Sequence, residues 1–206
     1  MLFQIADPIA IGFRLQIFPT ICNLKSKSDS YRICNSLFYL PFMNTAFLLI
    51  GGNLGERNAN LQRAREGIQH HCGVIRRLSS IYETEAWGKT DQPAFLNQAL
   101  EIETGLNAKQ LIRRILKLEK GMGRERKEKY GPRIIDIDIL LFNQEEHNYS
   151  FLKIPHPELQ NRRFALVPLA EIAPGLQHPV FKRSISKLLE ECPDTLEVKK
   201  YHDRQS

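Results

Sequence analysis

The sequence predicts an α+β fold: an antiparallel sheet with two helices on one face, followed by short C-terminal helices and loops. Three observations predict it. Short apolar, β-branched runs alternate with two segments of helical period, in the order β-α-β-β-α-β. Each helical segment opens near an asparagine and closes at a glycine. Pro155, Pro157, Pro168, Pro174 and Pro179 crowd the last part of the chain and interrupt any long element there. The order of the first six elements is that of a ferredoxin-like βαββαβ sandwich.

Thr45 to Ile50 is an apolar run expected as a buried strand, ended by Gly51-Gly52-Asn53-Leu54-Gly55. That turn lacks the Lys-Ser/Thr ending of a phosphate loop and the GxGxxG spacing of a dinucleotide site. It is expected as a strand-to-helix turn, with backbone groups open to a ligand as the alternative. Asn58 is expected to cap a helix that lines up Leu61, Ala64, Ile68 and Cys72 and closes at Gly73. Val74 to Glu83 and Ala94 to Glu103 are expected strands, joined by a polar loop containing Trp87, Gly88 and Pro93. Asn107 is expected to cap a second helix with Leu111, Ile112, Ile115, Leu116 and Glu119 inward, stopped at Gly121. A loop over 121–133 leads to a last strand within Ile134 to Phe142. Phe151 to Tyr201 is expected as short helices and loops packed on that core.

The last strand carries the strongest chemical signal. Asp136 and Asp138 interrupt an otherwise apolar run, and alternation across a strand points both carboxylates to one face. Two anions beside a hydrophobic core repel and lose hydration, at a cost of several kcal/mol unless cations compensate. Hard divalent cations such as Mg²⁺ suit two carboxylates, because they also accept water and phosphate oxygens. The alternative is a polar strand face covered by arginines.

Net charge is +6, which suggests an anionic partner. The excess gathers between Lys109 and Arg133, where only Glu119, Glu125 and Glu128 oppose ten basic residues. A solvated helix face explains the first half of that run but not the basic loop entering the aspartate strand. Cys22, Cys34, Cys72 and Cys192 lack metal-ligand spacing and are expected as reduced thiols of a cytoplasmic protein. No apolar stretch of about 18 residues suggests a membrane span. Residues 1–42 lack the pattern of a secretory signal, and Met43 stands directly before the first strand. They are expected to be a disordered extension or an upstream start the natural protein does not use. Residues 43–201 then form the working domain and 202–206 a tail.

Together the pieces suit phosphoryl chemistry. Two carboxylates hold cations, and a Gly/Arg/Lys loop beside them can close over polyphosphate, with arginines neutralising charge that builds up in transfer. Pro155-His156-Pro157 and Asn161-Arg162-Arg163-Phe164 offer further donors, although His156 alone suits a structural role as well as a ligand role. The combination resembles the 6-hydroxymethyl-7,8-dihydropterin pyrophosphokinase family. The resemblance rests on Gly123-Arg124-x-Arg126, Gly131-Pro132-Arg133-x-x-Asp136-x-Asp138-Ile139-x-Leu141, Pro155-His156 and Asn161-Arg162-x-Phe164. Ile50 to Gly55, Tyr82-Glu83-Thr84 and Asp91-Gln92-Pro93-x-Phe95-x-Asn97 add to it. It runs in order from about residue 44 to 190.

The resemblance implies a transferase that moves the β,γ-pyrophosphate of ATP to a reduced pterin and releases AMP, in folate biosynthesis. It implies two Mg²⁺ ions on Asp136 and Asp138, and catalytic roles for Arg124 and Arg133. Nucleotide contacts would fall to Glu119, Arg126, Arg133, Ile139, His156 and Arg162. The pterin would be stacked by Phe95 and Phe164, read at its edge by Asn97, and bordered by Thr84, Glu85 and Trp87. Without the resemblance, Phe95 and Phe164 are ordinary core residues, and Asn97 is an amide in an apolar strand that needs a partner. Departures from the family pattern are Tyr130 where tryptophan is common, a loop shorter by one residue around Lys129, Glu85 and Trp87, and Pro157 after His156.

Two other classes compete. A nucleic-acid-binding module of this fold would suit the charge, but it places aromatics with basic neighbours on its sheet, where Asp136 and Asp138 would repel phosphates. A regulatory domain that binds without turnover has no need of paired aspartates. The expectation is therefore a monomeric cytoplasmic enzyme acting on two small molecules, with no nucleic-acid or membrane partner. Removing either aspartate is expected to abolish turnover and to leave the fold intact or stabilised, because repulsion is relieved.

Overall fold

The computed structural model describes residues 43–86, 91–124 and 131–202; the expected extension 1–42, Trp87, Arg126, Lys129 and Tyr130 lie outside them. Strand β1 (Asn44–Gly52) is buried from Ala46 onward because it lies inside the sheet. It pairs antiparallel with β4 (Phe95–Thr104) on one side and β5 (Asp136–Phe142) on the other. Beyond β4 the sheet continues through β3 (Tyr82–Thr84) to β8 (Val198–Lys200), and β2 (Val74–Leu78) also pairs along β4. This is the expected ferredoxin-like arrangement of the first six elements.

Helix α1 (Arg57–His71) turns Asn60, Leu61, Ala64 and Ile68 inward. Asn58 does not cap it: the N-cap is Glu56, two residues earlier, with no side-chain cap bond. Asn60 ties the preceding turn instead, donating from Nδ2 to the Leu54 carbonyl at 2.9 Å. Helix α2 (Ala108–Gly121) is capped by Asn107 as expected, in a reciprocal box with Gln110 that contributes about 1 kcal/mol. Leu111, Ile115 and Glu119 are buried, whereas Leu116, expected inward, stays exposed at the edge of the stripe.

The strand expected over Val74 to Glu83 is broken into β2 (Val74–Leu78) and β3 (Tyr82–Thr84). Ser79 makes the break. Its N–H still donates to the Ala99 carbonyl at 3.0 Å, but its hydroxyl accepts the Ala99 N–H at 2.9 Å and its carbonyl accepts from Gln98 Nε2 at 2.7 Å, so side-chain bonds take over part of the ladder. Three strands of the C-terminal part were also unforeseen. β6 (His147–Tyr149) and β7 (Leu152–Ile154) form a hairpin, and β8 (Val198–Lys200) pairs with β3. Each spans three residues, too few to establish a period.

Two cores result. Leu48, Ile50, Leu100, Ile102 and Ile137 pack under α1 and α2. On the other face Phe47, Leu49 and Leu140 pack with Leu166 and Leu169 of α3 (Arg163–Ile172) and Ile185 and Leu188 of α4 (Ile185–Glu190). The C-terminal helices thus cover the sheet face that α1 and α2 leave open. Cys72 and Cys192 are free thiols. Among the described residues no helix is long and apolar enough to cross a membrane.

Candidate active site

A cleft of about 680 Å³ opens where β5, the edge strand, meets β1, β4 and the start of α3. Alternation along β5 buries Ile137 and Ile139 in the helix-side core and turns Asp136 and Asp138 to the opposite face, into the cleft. Register then sets the neighbours. Asp138 lies opposite Leu49, and Asp136 opposite Gly51, which is itself opposite Asn97. One cross-strand row therefore holds a candidate metal ligand and a candidate edge reader, with a glycine between them.

The carboxylates are not equivalent. Asp136 is held by two arginines: Arg124 Nη2 at 2.7 Å from Oδ1, and Arg133 Nη1 on Oδ2. To that extent the arginine-covered face is present. Asp138 is short of positive charge. Burial first, and the Asp136 charge second, push its carboxyl up to about 7 against the pull of Arg162 and Arg124. A divalent cation would relieve that strain. Among the described residues no three His, Cys, Asp or Glu side chains gather to hold a metal. Two carboxylates fit an ion that keeps water and phosphate oxygens in its shell, as Mg²⁺ does.

Arg124 owes its place to the end of α2. Gly123, at φ +85°, supplies the left-handed turn that returns the Arg124 N–H to the Glu119 carbonyl at 3.0 Å. The guanidinium then spans buried Glu119 and Asp136. Glu119 Oε1 also accepts the Ile137 N–H at 2.8 Å, capping the open edge of β5. Burial pushes the Glu119 carboxyl up, and Arg124 pulls it back. The Ile137 N–H points away from β1, so the Ile139 backbone, two residues on, faces outward too while its side chain is buried.

His156 and Arg162 close the far wall. The Glu158 N–H donates to His156 Nδ1 at 3.2 Å, and Nε2 faces Arg162 Nη1 at 3.4 Å. Burial, then the Arg162 charge, lower the His156 pKa to about 4, so the ring is neutral. Arg162 also lies 5.7 Å from the centroid of Phe164, as Arg133 lies 5.6 Å from that of Phe95. Both phenylalanines are half-buried and line the cleft rather than filling a core. Asn97 is buried and donates to Thr84 Oγ1 at 2.9 Å, and Glu85 is exposed at the same rim.

The cleft thus brings together Thr84, Glu85, Phe95, Asn97, Glu119 and Arg124. It adds Arg133, Asp136, Asp138, Ile139, His156, Arg162 and Phe164. Trp87 and Arg126, also expected there, lie outside the described residues. Sequence reasoning missed Phe151 and Lys153 of the β6–β7 hairpin, which also line the cleft.

Residues 47–174 match the family model described as 7,8-dihydro-6-hydroxymethylpterin-pyrophosphokinase. A 2-amino-4-hydroxy-6-hydroxymethyldihydropteridine pyrophosphokinase of Aquifex aeolicus is 39% identical over 145 residues, covering 70% of this chain and 90% of the relative. The Bacillus subtilis protein of that name is 43% identical over 130 residues, covering 63% and 78%. Among solved structures, a Plasmodium falciparum HPPK-DHPS triple mutant has a TM-score of 0.59 at 19% identity, covering 72% of this chain. This chain spans 43% of that longer one, and the likeness is one of fold.

Proposed function

This chain belongs to the 7,8-dihydro-6-hydroxymethylpterin-pyrophosphokinase family, and we propose that its cleft performs that family's reaction with Asp136 and Asp138 holding magnesium. It is a transferase that moves pyrophosphate from ATP to the hydroxymethyl group of 6-hydroxymethyl-7,8-dihydropterin, giving AMP and the pterin diphosphate, in folate biosynthesis. The observation that carries the residue assignment is the row Asp136, Gly51, Asn97. Adjacent strands lie about 4.8 Å apart, so the phosphate end and the pterin edge are separated by roughly 10 Å.

Two Mg²⁺ ions on Asp136 and Asp138 would neutralise the phosphates and orient the β-phosphorus for in-line attack. Arg124, which spans Glu119 and Asp136, would stabilise the charge of the transferring group. Arg133 and Arg162 bind phosphate oxygens while their guanidinium faces lie near Phe95 and Phe164, which stack the pterin. Asn97 reads the pterin edge, with Thr84 orienting its amide and Glu85 and Trp87 at the rim. Neutral His156 offers a hydrogen bond to the nucleotide, the outward backbone of Ile139 another, and Glu119 and Arg126 complete that side. Residues 43–201 form the pyrophosphokinase domain.

The chain is also taken as a cytoplasmic monomer without nucleic-acid or membrane partners. Asp136 and Asp138 would repel a nucleic-acid backbone. The test is product analysis. ATP, Mg²⁺ and 6-hydroxymethyl-7,8-dihydropterin should yield AMP and no ADP; ADP formation, or no transfer to the pterin, would overturn the function.

A further inference from the structure

We propose that Glu171 is a positioning residue for the pterin half of the cleft, an inference that rests on the pyrophosphokinase reading above: it fixes the spacing between Phe164 on α3 and the Thr84–Asn97 pair on the sheet. Glu171 does not line the cleft. Its carboxylate instead gathers four donations from the segment that leads to Thr84 and from the strand beside it. Oε2 accepts the Ser80 N–H at 2.7 Å and the Tyr82 hydroxyl at 3.1 Å. Oε1 accepts the Ser80 hydroxyl at 2.7 Å and Lys200 Nζ at 3.2 Å. Burial pushes the carboxyl up, but the bonds from Ser80, Lys200 and Tyr82 outweigh it and hold the group below the usual carboxylate range.

Two periodicities turn these bonds into a spacer. On α3, Phe164 and Glu171 stand seven residues apart, about two turns or roughly 10 Å along one face. On β3, Tyr82 and Thr84 stand two residues apart and point to one side of the sheet. Register adds the third member, because Tyr82 lies opposite Asn97 and Thr84 opposite Phe95. Each element is thus fastened at its far end by Glu171 and carries a cleft residue at its near end. Strand β3 needs the fastening. It has three residues and follows the break at Ser79, where the Ser80 N–H donates to Glu171.

Variants separate positioning from bulk stability. Glu171→Ala removes all four contacts, but the side chain is 30% exposed, so water can take over the donors and the fold should survive. Glu171→Gln keeps one oxygen for the Ser80 N–H and Tyr82, and the Ser80 hydroxyl can rotate to accept from the new amide, so only Lys200 loses its partner. Tyr82→Phe removes a single donation. Arg77→Ala is the control, because Arg77 Nη1 ties the same helix to the sheet through the Ile172 carbonyl, from β2 rather than β3.

The experiment measures AMP formation by the full chain, with KM for 6-hydroxymethyl-7,8-dihydropterin and for ATP, kcat and melting temperature for each variant. Glu171→Ala should raise KM for the pterin on the order of 10-fold, lower kcat less, and leave KM for ATP within about 2-fold. Tyr82→Phe should raise pterin KM by a smaller factor, and Glu171→Gln should return it to near the wild-type value. Arg77→Ala should lower the melting temperature and leave pterin KM unchanged. An unchanged pterin KM in folded Glu171→Ala or in Tyr82→Phe, no recovery in Glu171→Gln, or an equal rise in Arg77→Ala overturns the assignment. Wild-type protein that forms no AMP would instead overturn the pyrophosphokinase reading itself, so the two failures are distinguishable.

Discussion

Asp136 and Asn97 lie in one cross-strand row, each opposite Gly51 of β1. The glycine is demanded by space as well as by register: a Cβ at 51 would collide with Asn97 Oδ1. A glycine therefore stands between the carboxylate proposed to face phosphate and the amide proposed to face the pterin.

Gly51→Ala should displace the Asn97 amide from its bond to Thr84. Losing one buried hydrogen bond to a ligand costs about 1–3 kcal/mol, or roughly 5- to 150-fold in pterin affinity. KM for the pterin should rise while KM for ATP changes little. An unchanged pterin KM would remove Asn97 from the site.

Asp136→Asn and Asp138→Asn should each lower turnover by more than about 100-fold, because metal charge stabilisation amounts to several kcal/mol. Their stabilities should diverge. The Asp138 carboxyl is raised from 3.8 to about 7 in the fold, so its ionisation makes metal-free protein less stable as pH rises between those values. Asp138→Asn should melt above the wild type at pH 8. Asp136→Asn should melt below it, because Arg124 and Arg133 lose their partner. Either removal relieves the mutual repulsion, but at Asp136 the loss of two ion pairs is expected to outweigh that relief. Thermal melts in chelator check this.

Arg124→Ala should lower kcat by about 100- to 1,000-fold, the usual effect of deleting one stabilising donor, and leave ground-state ATP binding largely intact. Single-turnover kinetics separate the two. A mutant with weakened ATP binding but normal chemistry would assign Arg124 to binding instead.

His156 predicts a pH slope on the acid side. Its pKa falls from 6.5 to about 4 on folding, so protonation favours the unfolded chain and stability is lost as pH drops through that window. The contribution is at most about 3 kcal/mol. Denaturant titrations at pH 7.5 and pH 4.5 should show a smaller loss in His156→Gln than in the wild type. Equal losses would mean that the ring is not held neutral.

The βαββαβ order was legible because its strands and helices are long enough to show their periods, and Asp136 and Asp138 because charge in an apolar strand is conspicuous. The break at Ser79 was not, since it depends on hydrogen bonds to Gln98 and Ala99 on a strand later in the chain. The separate fates of the two aspartates were hidden for the same reason. Arg124 reaches Asp136 only because Gly123 reverses the end of α2, and no local pattern announces that.

Electron paramagnetic resonance titration of Mn²⁺, in the presence of α,β-methylene-ATP, tests the metal assignment most directly. Wild-type protein should hold two ions per chain, and Asp136→Asn and Asp138→Asn should each hold fewer at unchanged nucleotide occupancy. Two ions retained in both variants would place the metal elsewhere and contradict the role assigned to the pair.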